Sequence, residues 1–271
     1  MREVKKIRIN ILKDLGCDKY NVTIQNLLNF VCLKMEFIME TVIITTLFHP
    51  DEFGKFYNDI DEVVKEKVYI LKLGNAKFTY IRTDAGESIG DLLIAVSGIC
   101  KRIIFVGAVG ALHPEIYTGD IIISEYSMQS MSFMDQVRNK EFSLANNEKF
   151  FPDAEITCEL KSICEKTCEH YKTQLLQIPI CSISSFFTEL KFIDQIVDMG
   201  FKVIEMETAL LFAISNYFGI QASAIMQVSD NFATSTPLLG NLNMKEIKKC
   251  YFLRQTQWNK IMSEILLLYS K

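Results

Sequence analysis

Three short segments carry side chains suited to chemistry, each at the end of an apolar run. In Glu205-Met206-Glu207-Thr208-Ala209 two carboxylates flank a thioether where an apolar stretch gives way to a helical pattern. Carboxylates at such a junction either cap the helix and oppose its dipole or turn outward to accept hydrogen bonds from a ligand. In Gln227-Val228-Ser229-Asp230-Asn231 polar groups close an apolar run abruptly, which suits an Asx-type turn or a polar ligand-facing edge. In Gly107-Ala108-Val109-Gly110 the missing Cβ atoms let a ligand approach the backbone, although glycine at a strand end is common in its own right.

Whether these segments meet depends on the elements that carry them. Short β-branched runs at 41–46, 68–71, 78–81, 102–106, 120–124, 176–182, 202–204 and 222–228 predict strands. Helical spacing over 88–100, 155–170, 190–199, 206–218 and 244–269 predicts the helices between and after them, and 130–147 reads as a polar connection. This alternation predicts an α/β fold of three layers, a mixed central sheet with helices on both faces. Ligands of such sheets gather at the carboxyl ends of strands, where all three segments fall. Residues 1–40 show helical spacing interrupted at Gly16, so two helices are expected ahead of the main fold. The expected division is an N-terminal helical extension over 1–40 and a catalytic domain over 41–271.

Composition narrows the function classes. The 271 residues are 49% hydrophobic and 23% charged with five prolines, the profile of a packed globular protein. A formal net charge of −4 offers no general attraction for nucleic acid or an anionic membrane, which favours a small-molecule partner. No apolar run approaches the ~20 residues that span a bilayer, and a cytoplasmic location is expected. The eight cysteines lie mostly among apolar neighbours and read as reduced thiols. Cys164, Cys168 and His170 fall on one predicted helix, but a fourth ligand is missing, so no metal site is expected.

In this order and spacing the segments resemble the purine nucleoside phosphorylase and uridine phosphorylase superfamily, which also contains the methylthioadenosine/S-adenosylhomocysteine nucleosidases. The resemblance covers about residues 41–271. It rests on Ile103 through Ala111 with Gly119-Asp120-Ile121-Ile122, on Ser182-Ile183-Ser184-Ser185-Phe186-Phe187, on Val203 through Ala209, and on Val228-Ser229-Asp230. Arg254-Gln255-Thr256 resembles the arginine-led start of the last helix in hexameric bacterial purine phosphorylases.

The resemblance implies cleavage of a nucleoside's N-glycosidic bond, with Met206 and Glu207 clamping the ribose. The Glu207 carboxylate would accept from the 2′- and 3′-hydroxyls and stabilise the positive charge that grows at C1′. Phe186 matches the aromatic that packs on the base, with Phe187 or simple core packing as alternatives, and Ser229 belongs to the same base side. Asp230 matches the acid that serves purine N7, a role that needs a proton and is helped by burial. Arg254 matches the arginine that pairs with this aspartate when the site closes. The 234–240 segment, with Thr234, Ser235, Thr236, Pro237 and Gly240, falls between them as an insertion or a lid.

The phosphate side departs from the family pattern. The usual Gly-Asp-Pro-x-Arg motif is replaced by Thr45-Thr46-Leu47-Phe48-His49-Pro50-Asp51-Glu52, the arginine two residues before Gly107 by Phe105, and the serine or threonine after it by Ala108. A dianion without guanidinium partners is poorly held. Phosphorolysis with inorganic phosphate as co-substrate is the expectation that follows from the family. Hydrolysis is the alternative, with Asp51 or Glu52 as general base unless both are solvated loop carboxylates. Thr45, Thr46, His49, His113 or a neighbouring subunit are other candidates for holding the anion. A nucleoside sensor without catalysis is a further alternative. No cofactor is expected, and homo-oligomerisation as dimer, trimer or hexamer follows from the resemblance.

Overall fold

The computed structural model describes residues 12–46, 48–234 and 244–270. Among them nine strands join in one mixed sheet: β1 (Thr41–Thr45), β2 (Asp59–Val64), β3 (Val68–Leu73), β4 (Ala76–Arg82), β5 (Arg102–Ala111), β6 (Ile121–Gln129), β7 (Leu175–Ser182), β8 (Val203–Glu205) and β9 (Gln221–Asn231). Their order is β2-β3-β4-β1-β5-β8-β7-β6-β9, and β5 also pairs with β9, so the last five strands close on themselves. β1 runs parallel to both β4 and β5 and is buried along its whole length, as a strand covered on both faces must be. β2, β3 and β4 form an antiparallel meander. β2 is invisible to hydrophobic periodicity because Asp59-Ile60-Asp61-Glu62 belongs to an edge, where charge blunts unwanted pairing. Lys72 on β3 bridges Asp59 and Asp61 at 2.9 and 2.7 Å.

The helices are α1 (Ile24–Phe30), α2 (Ile89–Val96), α3 (Phe133–Arg138), α4 (Ala154–Tyr171), α5 (Phe186–Glu189), α6 (Ile193–Asp198), α7 (Thr208–Phe218), α8 (Met244–Leu253) and α9 (Asn259–Leu268). Side chains alternate across a strand, and the two cores follow that alternation. Val42, Ile44, Ile103 and Phe105 face α1, α2 and α7 through Leu28, Leu93, Leu211 and Phe212. Ile43, Ile104 and Val106 face α4 and α9 through Ile156, Leu160, Ile261 and Ile265. A third cluster, with Ile183, Phe192, Ile196 and Ile204, seats α6 beyond the ends of β7 and β8. The three-layer α/β architecture expected from the sequence is the one observed.

Several boundaries differ. The expected closing helix is divided by a π-helical turn at Arg254–Trp258, where Trp258 is fully buried. The helix expected over 190–199 is α6, shorter at both ends and preceded by α5, and the polar connection contains α3. Before β1 the only α-helical element as long as two turns among the described residues is α1, accompanied by 3-10 turns at Cys17–Tyr20 and Met35–Phe37. Most of the first expected helix falls on residues 1–11, outside the described residues. Ile24, Leu28, Leu33 and Ile38 join the same core as α2 and α7. Among the described residues no helix is long and apolar enough to cross a membrane.

Candidate active site

β8 ends at Glu205 and α7 begins at Thr208, and the two intervening residues settle which carboxylate caps the helix. Glu205 Oε2 accepts the amides of Glu207 and Thr208 at 2.7 and 2.8 Å, while Oε1 accepts the hydroxyls of Thr208, at 2.8 Å, and Ser182. Four donors hold this buried acid and satisfy the helix start. Glu207 is thereby released from capping. Its Oε1 accepts the Gly86 amide at 2.7 Å and its Oε2 the Met206 amide at 3.3 Å. Gly86 has φ +79°, a conformation that glycine adopts without strain, and it brings the loop after β4 onto the acid.

Burial first, and then the neighbouring Glu205 charge, push the Glu207 carboxyl up to about 8. Burial also raises Glu205, but its four donors oppose that rise. Glu207 therefore favours its protonated form near neutrality. Hydroxyl donors from a sugar would stabilise its anion and draw the pKa back down.

The opposite wall comes from β5 and β9. They pair in parallel from Arg102 with Gln221, but the register slips after Val109 with Val228, so Gly110 meets Asp230 and Ser229 is the extra residue. This bulge re-aims the end of β9. The Ser229 hydroxyl donates to Asp230 Oδ1 at 2.6 Å, and Asp230 is buried. A Cβ on Gly110 would sit 2.9 Å from the Phe232 ring, so glycine is what allows Phe232 to close over this end. Gly107 answers a different need. A Cβ there would meet the Phe105 ring at 2.5 Å, which makes it a packing residue within the sheet.

Between the walls lies a cavity of about 340 Å³, within the range of small-molecule sites. Met206, Glu207, Phe186, Ser229, Asp230 and Ala108 all line it. Of the two aromatic candidates, Phe186 faces the cavity and Phe187 is 81% exposed.

Other expected residues are elsewhere. Arg254 Nη1 meets Glu52 Oε2 at 2.8 Å and its guanidinium lies 4.2 Å from the Phe48 ring centroid, so in this structure its carboxylate partner is Glu52. Asp51 and Glu52 do not line the cavity. Glu52 Oε1 accepts the His49 amide at 2.9 Å, and Asp51, largely exposed, accepts from the Tyr57 hydroxyl at 2.7 Å. His113 Nδ1 accepts from the Glu115 amide, while Thr46 lines the cavity. Cys164 and Cys168 are buried on α4, and His170 packs edge-on against Tyr171. Residues 235–240 of the expected insertion lie outside the described residues.

Two positions at the site have no motif to announce them. Gly86 acts through a backbone amide. Glu189, 4% exposed, lines the cavity with Oε1 buried and without a hydrogen-bond partner among the described residues. Burial, followed by the nearby Asp230 charge, pushes its carboxyl up to about 8. Its spacing of three from Phe186, one helical turn, is the signal that places both on one face.

Comparison with known proteins agrees with this fold. Three solved structures share the fold. A uridine phosphorylase of the oomycete Phytophthora capsici superposes with TM-score 0.69 at 12% identity over 86% of this chain and 92% of its own. The purine nucleoside phosphorylase of Toxoplasma gondii, solved with immucillin-H, gives 0.65 at 14% over 88% and 95%. A Plasmodium knowlesi homologue of the P. falciparum purine nucleoside phosphorylase gives 0.62 at 14% over 88% and 93%. Comparison with curated protein sequences yields no match. The family model of the phosphorylase superfamily matches residues 45–251, and the chain belongs to that superfamily.

Proposed function

We propose that the protein is an enzyme that cleaves the N-glycosidic bond of a nucleoside, a purine nucleoside by preference, with phosphate as the attacking group. The observation that carries this reading is one cavity with Met206 and Glu207 on one wall and Asp230 with Phe186 on the other. Glu207 takes the ribose hydroxyls and steadies charge at C1′, and Asp230, backed by the Ser229 hydroxyl, serves the leaving base. Phosphate would enter from the side of Thr46, which also lines a neighbouring cleft of about 440 Å³ bearing Lys65, Lys67 and Arg82.

A second reading, hydrolysis, is favoured by one observation. The described residues that line the cavity include Glu189, Glu205, Glu207 and Asp230 but no lysine or arginine, a poor setting for a dianion. Incubation with inosine, adenosine, methylthioadenosine and uridine, with and without phosphate, decides between them through base release. Strict dependence on phosphate supports phosphorolysis, and equal turnover without it supports hydrolysis. Binding with no base release from any nucleoside removes both and leaves a sensor.

A further inference from the structure

Among the described residues of the cavity, Glu189 is the one acid that neither the helix cap, the ribose clamp nor the leaving-group acid accounts for. Glu205 is held by four donors, Glu207 by the amides of Gly86 and Met206, and Asp230 by the Ser229 hydroxyl. Glu189 Oε1, by contrast, is buried without a partner among the described residues. A buried acceptor left unsatisfied costs about 1–3 kcal/mol, a cost that a ligand can relieve. The side chain does not form an ion pair with the nearby Lys191, whose ammonium is taken by the carbonyls of Gln136, Val137 and Asn139.

We propose that Glu189 is the specificity-determining residue of the base subsite, reading the hydrogen-bonding edge of the nucleobase. It shares the cavity with Phe186, one helical turn away, and lies close enough to Asp230 to feel its charge, the two residues to which the proposed reaction gives the base. Burial and the Asp230 charge hold Glu189 protonated at neutral pH. A neutral carboxyl presents one O–H donor beside one C=O acceptor. That pair matches a base edge with an adjacent acceptor and donor, such as the lactam of a 6-oxopurine or the amidine of a 6-aminopurine, through two parallel hydrogen bonds. A purine without an exocyclic group at position 6 offers only the ring nitrogen and satisfies half of the acid. The ligand class is thus a nucleoside whose base carries that paired edge.

This inference rests on the proposed cleavage reaction, and its test separates the two. Wild type, Glu189→Gln and Glu189→Met are compared on inosine, adenosine and purine riboside by kcat/KM, with binding of hypoxanthine, adenine and unsubstituted purine measured by calorimetry. Methionine fills the same space without hydrogen bonds, and losing an unsatisfied buried group does not endanger the fold; the amide keeps one donor and one acceptor. The expected result is that Glu189→Met lowers kcat/KM and affinity at least tenfold for the preferred base with a paired edge while changing the unsubstituted purine less than threefold, and that Glu189→Gln stays within about fivefold of wild type. Equal losses on all three substrates, or an unchanged ranking, overturn the inference and leave the cleavage reaction standing. If wild type cleaves nothing, the reaction falls, and the base-binding arm still decides the role of Glu189: a ranking altered by methionine supports it, and an unaltered ranking or no base binding rejects it.

Discussion

The segments Asp51-Glu52 and Glu205-Met206-Glu207 look alike in sequence, two acids opening a helical turn, yet they end in opposite roles. In the first, His49 and Glu52 cap the turn reciprocally, Arg254 neutralises Glu52, and Asp51 reaches solvent beside Tyr57. In the second, Glu205 takes all the capping and leaves Glu207 facing a cavity with a raised pKa. The difference lies in where the donors are. A cation beside an acid makes it a structural anchor. Only backbone amides beside a buried acid leave it with bonding capacity for a ligand.

The sharpest way to break this contrast is Glu207→Ala. It is expected to reduce kcat/KM for nucleoside cleavage by about a thousandfold or more with the fold unchanged by circular dichroism, in line with loss of about 4 kcal/mol of transition-state stabilisation. A fully active variant would refute the ribose-clamp role. Next in size is Glu205→Ala, which strands the hydroxyls of Ser182 and Thr208 and two helix amides. Chemical denaturation should show a loss of about 3 kcal/mol, and a neutral outcome would mean that water replaces the cap.

A smaller effect concerns pH. Glu189 and Glu207 have ordinary values of 4.5 and rise to about 8 in the fold, so the native state binds more protons than the unfolded chain between those limits. Their contribution to stability is complete below about pH 4.5 and is lost as pH rises through 8. The urea midpoint should fall from pH 5 to pH 8, and Glu189→Gln should flatten that fall. An identical slope in the variant would show that Glu189 is ionised throughout. Least is expected of Glu52→Ala. Breaking its half-buried pair with Arg254 should cost about 1 kcal/mol and leave turnover within about threefold of wild type. A hundredfold loss of turnover would instead move the nucleophile's base to this segment.

Hydrophobic alternation was enough to place eight of the strands and to bring Glu207, Asp230 and Phe186 to strand ends, because burial imposes period and the sheet imposes where runs stop. The ninth strand escaped because Asp59, Asp61 and Glu62 serve an edge, where periodicity fails. Gly86 escaped because an amide has no side-chain signature. The sequence motif gives no sign of the Glu52 partner of Arg254, because that pair joins residues some two hundred positions apart at the start of a π-helical turn. Glu189 was missed because its role depends on what it lacks, a partner, and spacing alone does not reveal that.

β5 reaches both walls with consecutive residues: Gly110 pairs with Ile204 of β8 and with Asp230 of β9, and Ala111 with Val203 and Asn231. The span between Glu207 and Asp230 is therefore ruled by main-chain geometry, as on a fixed gauge. Side chains around that gauge can drift far without altering it. Such a construction accounts for a fold that superposes at TM-scores of 0.62–0.69 on proteins sharing only 12–14% of its residues. Under the proposed function, it also leaves the lining between the acids free to change from one nucleoside to another while the distance across which a glycosidic bond must lie stays the same.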